Sequence, residues 1–235
     1  SALQQRPNAF VAGIAHQATR QRAQQRQVGT RLAPKSPLVE PFGVVQKLCP
    51  TVNMNDFLQF YVPINLKYWE RYRKDEISQK ELRLGRLKET FDLLEFPIED
   101  QSILILSEQY IHYLPKYNHL FEGTIEILEY LNLKYNLHII TNGFSEIQEN
   151  KLNNSYITHY FKTITNSEIA GVKKPNSLIF EYALGLAKAK KEYSIMIGDC
   201  MEADVQGALD AGLDAIFFNG NNKVVADNIK QVNHL

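Results

Sequence analysis

Residues 195–204 read IMIGDCMEAD, and this stretch decides the fold. Three apolar residues run into Gly198, and carboxylates follow at Asp199 and Asp204. The pattern predicts a short buried strand that ends at a glycine, then a turn, then a helix opening over 201–204. Asp199 then stands at the carboxyl edge of a strand, where open α/β sheets bind ligands. Asp204 returns toward that edge from the first turn of the helix. Two convergent carboxylates suit a hard cation, and Mg2+ is commonly held by one or two such groups plus a substrate phosphate. Helix capping by Asp199 and a favourable helix-dipole position for Asp204 would explain either residue taken alone.

Outward from this stretch, helix and strand alternate from about Phe121 onward, which argues a parallel sheet flanked by helices. EGTIEILEYLNLKY reads as an amphipathic helix, LHIIT (137–141) as a strand, FSEIQENKLNNS as a helix and FKTIT (161–165) as a strand. PNSLIFEYALGLAKA follows as a helix with Pro175 in its first turn. YSIMI (193–197) is the next strand, EADVQGALDAG a helix closed by Gly212, and DAIFFN (214–219) the last strand. Two further strand ends carry chemistry. Thr141 ends a buried strand, and the N–H groups of Asn142 and Gly143 lie where a helix start could receive an anion. Lys174 precedes Pro175 and is therefore extended, so its ammonium can neutralise phosphate charge at the sheet edge. An Asn-Gly turn and a solvated loop lysine are the plain readings of these two segments. Their order, Thr then Lys then Asp-x4-Asp on successive strand units, argues for one site.

Residues 54–118 change character. NDFLQFYVPINLKYWERYRK is spaced as a helix with an Asn55-Asp56 cap and a break near Pro63. SQKELRLGRLKETFDLLEF opens with a capping box from Ser78 to Glu81. DQSILILSEQYIHYLPKY is a third helix, ending before Pro115. Residues 1–53 are rich in Gln, Arg, Ala and Pro; AFVAGIA (9–15) is a strand-like run, and VEPFGVVQKLC (39–49) a weaker one. Three zones are therefore expected: a basic N-terminal segment (1–53), a helical segment (54–118) and an α/β core (119–235).

With 235 residues and 44% hydrophobic content, the chain can bury a full core and carry an insertion. Its zero net charge hides an asymmetry: residues 1–55 hold seven Lys/Arg and one acid, Glu40, leaving 19 basic and 25 acidic residues in 56–235. No apolar run approaches bilayer length, so no membrane partner is expected. Cys49 and Cys200 lack metal-ligand spacing, which makes a reducing, cytoplasmic location the expectation. The basic segment lacks interleaved aromatics, so a nucleic-acid partner is not expected either.

LHIITNGF, GVKKPNSLIFEYAL and MIGDCMEADVQGALDAG resemble the second, third and fourth motifs of the haloacid dehalogenase (HAD) superfamily. KYWERYRKDEISQKELRLGRLKETF and HLFEGTIEILEYLNLKYNLHIITNGF are similar to its YjjG/YfnB-like branch of pyrimidine 5'-nucleotidases. The resemblance covers roughly residues 54–220. It implies an α/β fold, a HAD-like Rossmannoid parallel sheet with helices on both faces and an inserted helical cap. It also implies phosphate monoester hydrolysis through an aspartyl-phosphate, Mg2+ as cofactor and a small phosphorylated substrate, a nucleotide by branch. By position, Thr141 and Lys174 would be the catalytic and phosphate-binding side chains, Asn142 and Gly143 would join in phosphate binding, and Asp199 and Asp204 would be the metal residues. Cys200 stands where the family usually has Ser, and Asn176-Ser177 where Asp-Pro is common.

One departure is larger. The family's first motif is a strand ending in Asp-x-Asp, whose first carboxylate accepts the phosphoryl group. The first Asp in this chain is Asp56, only Glu40 precedes it, and AFVAGIA holds no acid. A segment read in a shifted frame, a divergent strand, a targeting peptide and a nucleic-acid-binding arm are all open readings of 1–53. The expected function is a Mg-dependent HAD-type phosphatase; the alternative is a phosphate- or nucleotide-binding relative without turnover.

Overall fold

A computed structural model describes residues 6–12, 43–116, 118 and 120–234. These divide into two compact units, one formed by 6–12 with 118–234 and the other by 43–116.

The first unit is built on β1 (Asn8–Val11), β2 (Asn136–Thr141), β3 (Phe161–Asn166), β4 (Ser194–Gly198), β5 (Asp214–Phe218) and β6 (Gln231–Val232). They form a six-stranded sheet in the order β3-β2-β1-β4-β5-β6, and each neighbouring pair is parallel. The chain leaves β1 in one direction to β2 and β3, then crosses back to β4 on its other side. β1 and β4 therefore flank the topological switch point, where a crevice opens at the carboxyl ends.

Alternation along the strands explains the layers. Phe10, Ile140, Met196 and Phe217 face one side, packed with Ile179, Phe180 and Ala183 of one helix (Ser177–Ala187) and Ala208 of another (Gly207–Asp210). Ala9, Val11, Leu137 and Ile139 face the other, packed with Leu128 and Leu152 from the helices Thr124–Lys134 and Ser145–Asn154. Burying each such large apolar side chain contributes about 2 kcal/mol. The expected α/β sheet with helices on both faces is the fold observed.

The second unit is helical: α1 (Gly43–Leu48), α2 (Met54–Arg73), α3 (Gln79–Leu93) and α4 (Asp100–Tyr113), with a 3-10 turn at Leu114–Lys116. Its core gathers Phe57, Tyr61, Leu87, Phe91, Ile103 and Leu106. The capping box is present, with Ser78 Oγ accepting from Glu81 N–H and Glu81 Oε2 accepting from Ser78 N–H. The helices of the first unit continue the series as α5 (Thr124–Lys134), α6 (Ser145–Asn154), α7 (Ser167–Ala170), α8 (Ser177–Ala187) and α9 (Gly207–Asp210).

Several local expectations are corrected. Residues 43–48 of the weaker strand-like run are helical; Val45 is buried in the helical core while Gln46 and Lys47 are exposed. Residues 13–15 of AFVAGIA and 39–42 lie outside the described residues. α2 runs unbroken through Pro63, an exposed position where water can satisfy the carbonyl that loses its donor. Asn53, not Asn55-Asp56, caps α2, its side chain accepting from Asn55 N–H. Pro175 precedes α8 in a cis peptide bond, and Asn176 provides the cap. The helix after β4 begins as a π-helical turn over Met201–Gln206 before it tightens into α9. α7 and β6 were not foreseen. Among the described residues no helix is long and apolar enough to cross a membrane.

Candidate functional site

The carboxyl ends of β2 and β4 carry an interlocked set of polar groups. Lys174, in the loop between α7 and α8, is only 3% exposed. Its Nζ donates to the Ile140 carbonyl at 2.8 Å and to Asp204 Oδ1 at 2.5 Å. Asp204 is equally buried, and its Oδ2 accepts from Cys200 N–H at 3.0 Å. Both carboxylate oxygens are thus engaged. The π-helical turn brings Asp204 against the strand end: a Cβ on Gly198 would lie 2.4 Å from the Asp204 Cβ, so no side chain fits at 198.

Asn142 ties this cluster to β2. Its Nδ2 donates to the Lys174 carbonyl at 2.9 Å and its Oδ1 accepts from Lys174 N–H at 2.8 Å. The lysine backbone is therefore held at two points. Thr141 ends β2 almost fully buried, and its Oγ1 accepts from Gly143 N–H at 2.9 Å. Asp199 follows Gly198 directly and is half-buried.

Asn142, Lys174 and Asp204 are joined by hydrogen bonds, Thr141 and Gly143 are bonded to each other across the turn that carries Asn142, and Asp199 lies at the end of the strand that delivers Asp204. The Ile140 carbonyl, the Asn142 side-chain clamp and the tight space at Gly198 escaped sequence reasoning; a glycine at a strand terminus was the available signal for the last. Gly143 N–H, expected to face an anion, is spent on the Thr141 hydroxyl.

Mg2+ fits this donor set only as a shared guest. Among the described residues no group of three or more His, Cys, Asp or Glu is arranged to hold a metal ion. Asp204 is engaged by Lys174 and the Cys200 N–H, and Asp199, directly after β4, is the other carboxylate at this edge. A single carboxylate can hold Mg2+ when phosphate and water complete the octahedron.

The adjoining strand offers no acid. β1 presents Asn8, Ala9, Phe10 and Val11, and Ala12 N–H donates to the Ile197 carbonyl at 2.8 Å, level with the end of β4. Residues 1–39 contain no Asp or Glu. The polar residue of β1, Asn8, lies at its amino end, its Oδ1 3.3 Å from His138 Nε2. Burial, assisted by the nearby Lys162 charge, pushes the His138 imidazole down to about 4.

The family model for haloacid dehalogenase-like hydrolases matches residues 56–218. The chain belongs to that family. It is 31% identical over 165 residues to the pyrimidine 5'-nucleotidase PynA of Streptococcus pneumoniae, covering 69% of this chain and 68% of the relative. It is 30% identical over 174 residues to the pyrimidine 5'-nucleotidase YjjG of Escherichia coli, covering 74% and 75%. The fold is similar to a crystal structure of YfnB from Bacillus subtilis bound to magnesium, with a TM-score of 0.79, 22% identity, and 98% and 96% of the two chains covered.

Proposed function

We propose that this chain binds phosphate monoesters, nucleoside 5'-monophosphates by family, at the carboxyl edge around Thr141, Lys174 and Asp199. We take the helical unit as the family's cap and a reducing, cytoplasmic compartment as its setting. The observation that carries the reading is the buried Lys174 ammonium, fixed by Asp204 and the Ile140 carbonyl beside the switch point. An ammonium has three donors; these two acceptors leave one N–H for a phosphate oxygen. Thr141 Oγ1 already accepts from Gly143, so its own proton can be donated to the same ligand. Asp204 acts as the positioning residue that holds the lysine in place. Asp199 would hold Mg2+ together with the phosphate, and the ion would supply charge neutralisation.

Turnover is a separate matter. Preorganised positive charge is often the largest catalytic term, and this edge retains it. Hydrolysis by the family route also needs a carboxylate acceptor on the first strand and an acid for the leaving oxygen. The acid-free β1 therefore favours a second reading, binding with little or no hydrolysis.

The test is calorimetric titration with UMP and with inorganic phosphate, with and without Mg2+. Weak binding strengthened by Mg2+, with the strengthening lost in Asp199→Ala, is the expected result. Equal binding by wild type and Asp199→Ala in the presence of Mg2+ would remove Asp199 from the site.

A further inference from the structure

The turn after β2 contains a glycine whose need is spatial rather than conformational. Gly143 has no left-handed φ, yet a Cβ there would stand 2.2 Å from Gln148 Nε2 and 2.8 Å from its Cδ. Gln148 rises from the first turns of α6, where its backbone N–H donates to the Phe144 carbonyl at 3.0 Å. Its side chain is folded back against the turn, 6% exposed. Nε2 is fully buried and has no hydrogen-bond partner among the described residues.

An orphaned buried donor destabilises a fold, and an apolar side chain of similar shape avoids that loss. Methionine would fill this space, so packing alone gives no reason for an amide. The donor lies beside the turn where Thr141 and Gly143 meet, and only a glycine at 143 leaves it room there. We propose that Gln148 is a further ligand-binding residue, its Nε2 donating to an anionic oxygen held at the Thr141–Gly143 turn. The inference rests on the phosphate-site reading above and adds a neutral donor to it. Gly143 serves as the opening through which a helix residue reaches the ligand.

The experiment measures two quantities on each variant: affinity for inorganic phosphate by calorimetry, and melting temperature without ligand. Gln148→Met should melt higher than wild type, because the orphaned donor is gone, and bind phosphate about ten-fold more weakly or worse, the scale of a lost hydrogen bond to a charged group. Gly143→Ala should weaken binding similarly, and Gly143→Ala with Gln148→Ala should bind no worse than Gln148→Ala alone. Thr141→Val reports on the site independently. If Thr141→Val weakens binding while Gln148→Met binds as wild type does, the Gln148 assignment fails and the site stands. If Gln148→Met melts lower with affinity unchanged, the amide is structural and the proposal is overturned. If the wild type binds no phosphate, the site reading falls and Gln148 falls with it.

Discussion

β1 and β4 lie side by side at the centre of the sheet and reach the same edge, but they arrive with different chemistry. β4 runs through Gly198 into Asp199, and the π-helical turn beyond it returns Asp204 to Lys174. β1 ends at Val11, with Ala12 beyond it, and its polar anchor, Asn8, sits at the opposite end beside His138. Membership of the sheet needs only alternating apolar residues and a free backbone ladder, which Ala9, Phe10 and Val11 supply. Chemistry needs one particular side chain at one strand end. A strand can therefore keep its place in the fold after losing, or without ever having had, its part in a reaction.

The largest effect that would break this contrast is on the β4 side. Asp204→Asn leaves the Lys174 ammonium buried without its charge partner, and loss of one member of a buried pair costs about 3–5 kcal/mol. Urea denaturation should show this as a lower midpoint. The pair Lys230–Asp214 has the same 2.5 Å separation but side chains 63% and 49% exposed. Asp214→Asn should cost under about 1 kcal/mol, since solvent screens the pair. Equal losses for the two variants would mean that burial does not set the strength of the Lys174 contact.

The β1 side is sharpened by acid. His138 is held neutral, with its value near 4 when folded against 6.5 in the reference state. Between those values the unfolded chain binds the proton and the folded chain does not, so stability is full above about pH 6.5 and declines as pH falls toward 4. From pH 7.5 to 5 this one group should remove about 2 kcal/mol, and His138→Gln should flatten that part of the profile. A wild-type midpoint that does not fall over this range would contradict the buried neutral imidazole.

Much of the first unit was legible in its sequence because its strands are short, apolar and spaced by helices. Lys174 and Asp204, which the structure brings into contact, could be placed near one edge because each follows a strand of one parallel sheet. What escaped was geometry that residue types do not encode. The Asn142 clamp depends on a side chain turning back across the loop to Lys174, and the contacts of both Asp204 oxygens depend on the π-helical turn that returns it to the strand end. Residues 43–48 look strand-like by composition, yet Val45 is drawn into the helical core. Pro63 reads as a break because sequence alone does not reveal that its face of α2 is exposed.

The most direct test of the account is turnover. Purified chain should bind UMP yet hydrolyse UMP, dTMP and p-nitrophenyl phosphate at most marginally in the presence of Mg2+, and replacing residues 9–15 with a segment bearing Asp-x-Asp should raise that rate by orders of magnitude. Hydrolysis by the unaltered chain at rates of about 1 per second or more, lost in Asp199→Asn, would contradict the claim that β1 lacks what the chemistry requires.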